Sequence, residues 1–118
     1  MYGIMKKLAK TFQALSDNNR IRILKMLEVR PLCVCEITEV LQLANSTVSK
    51  HLSILRDVEF ILDEKDGKWV NYSLNHKKND VYVSKILPLI SEWIPDDQVI
   101  SDDRNKVKTT DRNIICGS

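Results

Sequence analysis

Cys33 and Cys35 stand one residue apart in "PLCVCEIT", residues 31–38, at the start of a segment with helical periodicity. Thiolates select soft, thiophilic ions, and the partial positive charge of a helix N-terminus favours the thiolate form. A helix turns about 100° per residue, so side chains two apart point to nearly opposite sides. One ion is held by both only where the backbone is extended or turned. Ligation at this pair therefore predicts a distorted first helical turn, and a helix with two states is an element that a ligand can bias. The competing reading is two small buried hydrophobes. A third thiol, Cys116, lies near the far end of the sequence. An odd count, with two members too close to staple distant segments, argues against a secreted disulfide scaffold and for metal ligation or redox sensing in a reducing cytosol.

A second group of residues suits contact with nucleic acid. "NSTVSKH", residues 45–51, supplies Asn45, Ser46, Thr47, Ser49 and Lys50 at positions that leave the apolar stripe of a helix free. Short polar side chains there fit phosphates and base edges in a major groove, and otherwise serve as helix caps. His51 in the same segment reaches a phosphate or base, or covers the helix surface. Lys65 and Lys68 flank Asp66-Gly67, which places two cations at a loop tip. Arg20, Arg22 and Arg56 are further candidates for phosphate contact.

The elements that must position these residues follow from periodicity. Ile4, Leu8, Phe12 and Leu15 mark one face of a helix over 4–15, and Ile21, Leu24 and Leu27 a face of a helix over 18–29 that Pro31 stops. Ser16 and Asp17 can cap the latter. Ile37, Val40 and Leu41 define a short helix over 34–43, and Val48, Leu52 and Leu55 one over 47–58. Asn45 or Ser46 is the expected cap between them. Two short helices joined by a turn of about three residues are a helix-turn-helix signature. Residues 60–74 then read as a hairpin, because Asp66-Gly67 supplies positive φ between strand-forming Ile61, Trp69, Val70 and Tyr72. A last helix from Asp80 carries Val83, Ile86, Leu87 and Ile90 on an apolar face, with Pro88 kinking or shortening it. The fold expected is mainly α with a small β-hairpin wing, a winged helix-turn-helix over 1–95. Residues 96–118 read as a polar, partly irregular tail carrying a candidate ligand cysteine.

The composition permits this reading. The 118 residues suffice for one modest core, and 43% hydrophobic with 29% charged residues is ordinary for a soluble domain. Three Gly and three Pro argue against a loop-rich all-β fold. No apolar run approaches a membrane span or a signal peptide, so a cytoplasmic protein with no membrane partner is expected. The net charge of +2 says little, but residues 1–31 carry seven basic against two acidic side chains. Nothing resembles a phosphate loop or a Cys/His/Asp catalytic set, so an enzyme such as a thiol reductase is not expected, and neither is an organic cofactor.

"LCVCEI" followed by "STVSKHLSILRD" and "GKWVNYSL" resembles the ArsR/SmtB family of metal-responsive winged-helix repressors over about residues 8–75. The resemblance implies a homodimer built on the first and last helices. It also implies binding to double-stranded operator DNA without ligand, and release when a metal or metalloid binds. "LCVC" is similar to the arsenite sensors and to the cadmium/lead sensors. Two departures stand out. Arsenite sensors with this motif have a third Cys where this chain has Thr38, and residues 1–32 lack the N-terminal Cys of the cadmium/lead sensors. Cys116 is the remaining thiol, and the 21 residues from Pro95 to it could span about 70 Å if extended. The expected ligand set is Cys33, Cys35 and Cys116, with As(III) as effector or, alternatively, Cd(II), Pb(II) or Sb(III). Oxidants or reactive sulfur acting on the thiols are another alternative, and a winged-helix protein-interaction module a third.

Overall fold

Asp17 is extended, and its Oδ1 accepts the N–H groups of Asn19 at 2.8 Å and Arg20 at 3.3 Å. That cap divides α1 (Tyr2–Ala14) from α2 (Asn18–Leu27) in the computed structural model, which describes residues 2–116. α2 turns Ile23, Leu24, Met26 and Leu27 into the core. Two further elements, β1 (Leu32–Cys33) and α3 (Val34–Leu41), follow Pro31. α3 ends on Gln42, left-handed at φ 56°, whose N–H bonds back to the Thr38 carbonyl at 2.8 Å. α4 (Asn45–Asp57) begins after this turn and buries Val48, Leu52 and Leu55. The expected side-chain cap is absent. Ala44 occupies the cap position with no side-chain bond, while Asn45 Oδ1 instead accepts from Thr38 Oγ1 at 3.0 Å.

Gly67 at φ 60° closes the hairpin of β2 (Ile61–Asp66) and β3 (Trp69–Leu74). β1 joins as a third antiparallel strand in the order β1-β3-β2, with Cys33 opposite Asn71. α5 (Val81–Glu92) is capped by Asp80 and runs through Pro88 for another turn. Val83, Leu87 and Ile90 of this helix face the core. No described helix is long and apolar enough to cross a membrane.

Beyond Pro95 the expectation of an irregular tail is corrected. α6 (Gln98–Thr109) starts at an Asp97 cap and packs on α2 and α3, burying Ile100, Asp103 and Val107, and α7 (Arg112–Ile115) follows. Burying Ile100 and Val107 contributes on the order of 2 kcal/mol each, enough to fix a helix that is polar elsewhere. Lys25, fully buried, donates to the Ile90 carbonyl at 2.8 Å and pairs with Glu28 at 3.4 Å, and Arg104 of α6 also pairs with Glu28. This network ties α2, α5 and α6 together.

Candidate effector and nucleic-acid sites

The thiols come together at the start of α3. Cys33 is the cap residue, extended at φ −90° and ψ 170°, and only 3% exposed. Its N–H donates to Glu36 Oε1 at 3.0 Å, and the other Glu36 oxygen pairs with Arg30 Nη1 at 2.9 Å. Burial pushes the Cys33 thiol up, and the neighbouring Glu36 charge adds to this against the opposing N–H groups of Glu36 and Cys35. Cys35, half-buried in the first turn, is bonded through sulfur to Cys116, 81 residues later, with the Cα atoms 6.0 Å apart. The approach is possible because α6 returns the chain across α2 and α3 and α7 then lies against α3.

In this form Cys33 is the free thiol, and no group of three or more His, Cys, Asp or Glu side chains arranged to hold a metal ion occurs among the described residues. A three-sulfur set would need the Cys35–Cys116 bond reduced and the buried Cys33 proton removed. The backbone at Cys33 is already extended, so the i, i+2 pair straddles the helix boundary rather than lying within regular helix.

Arg112 lies beside this centre, on the helix that packs against α3. It reaches Asp66 Oδ2 and Asn71 Oδ1, each at 2.8 Å, and covers the Trp69 ring with its centre 5.1 Å from the centroid. The guanidinium holds the Asp66 carboxyl below the usual range. None of these contacts has a local sequence signal, because Arg112 and Asp66 are 46 residues apart.

The polar face of α4 is laid out as its periodicity requires. Asn45, Ser46, Thr47, Ser49 and Lys50 are exposed around the buried stripe. His51 is half-buried, and its Nδ1 stands 3.1 Å from Arg20 Nη1. Arg20 also donates to the carbonyls of Ala14 at 2.8 Å and Gln13 at 3.2 Å, so it orients His51 from the end of α1. Arg56 pairs with Asp63 of β2 at 3.2 Å on the surface. Lys65 and Lys68 are exposed at the wing tip, with Lys68 4.8 Å from the Trp69 centroid.

Arg22 requires a correction. Its Nε and Nη2 donate to the two oxygens of Asp103 at 2.8 and 2.9 Å, and Asp103 is 2% exposed. A guanidinium committed to a buried carboxylate is not offered to phosphate. No local signal in the sequence links Arg22 to Asp103, 81 residues away on the polar helix α6.

Helices α1 and α5 touch, and both carry apolar side chains that stay exposed. Ile4, Met5 and Phe12 of α1, Leu89 of α5, and Trp93 and Ile94 after it are each more than 40% exposed.

Comparison with known proteins agrees with this architecture. The family described as "Bacterial regulatory protein, arsR family" matches residues 17–62, from the α2 cap into β2. An arsenical resistance operon repressor of Bacillus subtilis (strain 168) is 35% identical over 85 residues, covering 71% of this chain and 81% of that protein. A cadmium resistance transcriptional regulatory protein CadC homolog of Staphylococcus aureus is 35% identical over 79 residues, 66% of this chain and 65% of the other. Among solved structures, HlyU from Vibrio cholerae N16961 superimposes with a TM-score of 0.65 at 26% identity, covering 80% of this chain and 98% of that one.

Proposed function

The chain belongs to the arsR family of bacterial regulatory proteins, transcriptional regulators rather than enzymes, and from that premise we propose that it is a repressor that releases operator DNA when its cysteine sulfurs hold trivalent arsenic. The observation that carries this reading is the meeting of Cys116 with Cys35 beside Cys33. The chain has Thr38 where arsenite sensors with this motif have a third cysteine, and the position of Cys116 against Cys35 supports its serving instead. In the reduced protein each of three thiols displaces one hydroxide of arsenous acid and releases one water, leaving a three-sulfur site. The relatives named for arsenical and cadmium resistance support a soft-ion effector.

The path to DNA starts within α3. Engaging Cys33 requires its buried sulfur to turn toward Cys35 across the first helical turn, which loosens that turn. The same helix carries Thr38, whose hydroxyl bonds Asn45 at the start of α4. Displacing α3 therefore shifts the base-reading residues Asn45, Ser46, Thr47, Ser49, Lys50 and His51. Lys65, Lys68, Arg56 and Arg20 supply phosphate contacts, with Arg22 removed from that set. The exposed face of α1 and α5 is the homodimer surface, and the working compartment is the cytoplasm.

The test is a fluorescence-anisotropy titration of DNA-bound, reduced protein with sodium arsenite. Wild type releases DNA, and Cys116→Ser needs at least tenfold more arsenite. Equal release by the variant removes Cys116 from the site.

One observation favours a second reading, in which the direct Cys35–Cys116 bond is itself the signal. An oxidant that accepts two electrons and two protons from the two thiols forms this bond and denies arsenic two of its ligands. DNA release by the azo oxidant diamide but not by arsenite would select this reading over the first.

A further inference from the structure

α7 is four residues long and none of its residues is buried, so it has little of its own to fix its position. Two anchors hold it. At its end Cys116 is bonded to Cys35. At its first residue Arg112 grips the wing, with one nitrogen on Asp66 and another on Asn71, each at 2.8 Å. The fork engages both wing strands at once, Asp66 at the end of β2 and Asn71 within β3. Asn71 in turn donates to Asp66 at 3.3 Å and pairs across the sheet with Cys33. Asp66 adjoins Lys65, and Trp69, shared by Arg112 and Lys68, opens Asn71's own strand next to the wing turn.

We propose that Arg112 is the positioning residue through which the state of the Cys35–Cys116 pair reaches the DNA-facing wing. The proposal rests on the thiol-sensing reading above and adds a second route, separate from the Thr38–Asn45 contact. A short segment held at both ends behaves as a bivalent ligand. Each anchor raises the effective concentration of the other at its partner, and loss of one weakens the other. The coupling is reciprocal. While the sulfurs of Cys35 and Cys116 are held together, directly or through a shared ion, Arg112 is held at Asp66 and the wing is pinned to α7, which holds it off DNA. When both are free thiols, the grip weakens. The wing tip with Lys65 and Lys68, no longer tied to α7, is then free to settle on phosphate. Arg112 touches neither effector nor DNA in this scheme.

The test uses the full chain and a DNA duplex selected from a random pool by the reduced wild-type protein. Affinity is measured by anisotropy at one salt concentration for the reduced, arsenite-treated and diamide-oxidised forms of wild type, Arg112→Gln and Asp66→Asn. In wild type the reduced and treated affinities differ by about tenfold or more, within the usual range of coupling between sites. In either variant the ratio falls to within about threefold, while arsenite uptake, followed by sulfur-to-arsenic absorbance, keeps its stoichiometry. In a Trp93→Phe background, Trp69 emission changes on oxidation with Arg112 present and not with Arg112→Gln. A variant that retains the wild-type affinity ratio overturns the proposal. A wild-type ratio of one in both treated forms overturns the thiol-sensing reading beneath it.

Discussion

Cys33 and Cys35 are two residues apart but chemically unequal. Burial holds the Cys33 thiol above its usual range, so at neutral pH it remains protonated and shielded. In fully reduced native protein, iodoacetamide at pH 7.5 should therefore modify Cys35 and Cys116 well before Cys33, by at least tenfold in rate as read by peptide mass spectrometry. Equal rates would mean that Cys33 is open to solvent. The spacing of the pair and the presence of one further thiol, Cys116, are both legible in the sequence. Which cysteine is buried is not, because that depends on β1 pairing with β3. Arg22 makes the same point for a charge. Its place in a basic stretch suggests phosphate, but its partner Asp103 lies 81 residues away. Arg22→Ala leaves a buried carboxylate unpaired and should cost about 3 kcal/mol in urea unfolding. The slope of log affinity against log salt should stay at the wild-type value, whereas a phosphate contact would lower it by about one.

Helices with a broad apolar stripe are readable from periodicity, and so is a hairpin with Asp-Gly at its centre. α1 to α5 and the wing belong to this class. β1 is two residues long, too short to alternate, and α6 offers only Ile100 and Val107 to the core on a polar helix. At the α1–α5 junction, Asp80 is a cap whose contribution has a definite pH dependence. Burial pushes its carboxyl up, but the N–H of Val83, the ammonium of Lys7 and the N–H of Tyr82 together outweigh this and hold it below the ordinary range. A carboxyl lower in the folded than in the unfolded state stabilises above the unfolded value, about 3.9 for Asp, and loses that contribution as pH falls through the folded value. Asp80→Ala should thus cost about 1 kcal/mol at pH 7, chiefly as a lost cap because Lys7 is 57% exposed and its ion pair is screened. The difference between variant and wild type, read from thermal unfolding, should shrink as pH is lowered below about 4. A difference constant with pH would assign the effect to packing.

At the scale of the whole molecule, apolar residues on α1 and around the end of α5 stand in solvent although their spacing marks them as a helix face. Phe12 is 55% exposed, Met5 68% and Trp93 53%, beside a core whose members are nearly all below 7%. Periodicity identifies such a face but cannot say whether the chain itself or a second copy covers it. Large contiguous apolar surface on a single chain favours association. A symmetric pair joined here would carry two copies of α4 and two wings, and so bind two half-sites at once. Phe12→Glu places a charge among these exposed apolar side chains without touching the core. Sedimentation should show wild type as a dimer at micromolar concentration and the variant shifted to monomer, with an unchanged circular dichroism spectrum. Operator affinity should fall by about a hundredfold or more, because the second half-site no longer binds intramolecularly. The monomer's residual binding should show about half the salt slope of the dimer, since it neutralises half as many phosphates. A variant that stays dimeric, or a monomer that keeps both the affinity and the slope of wild type, would place the dimer surface or the DNA-binding unit elsewhere.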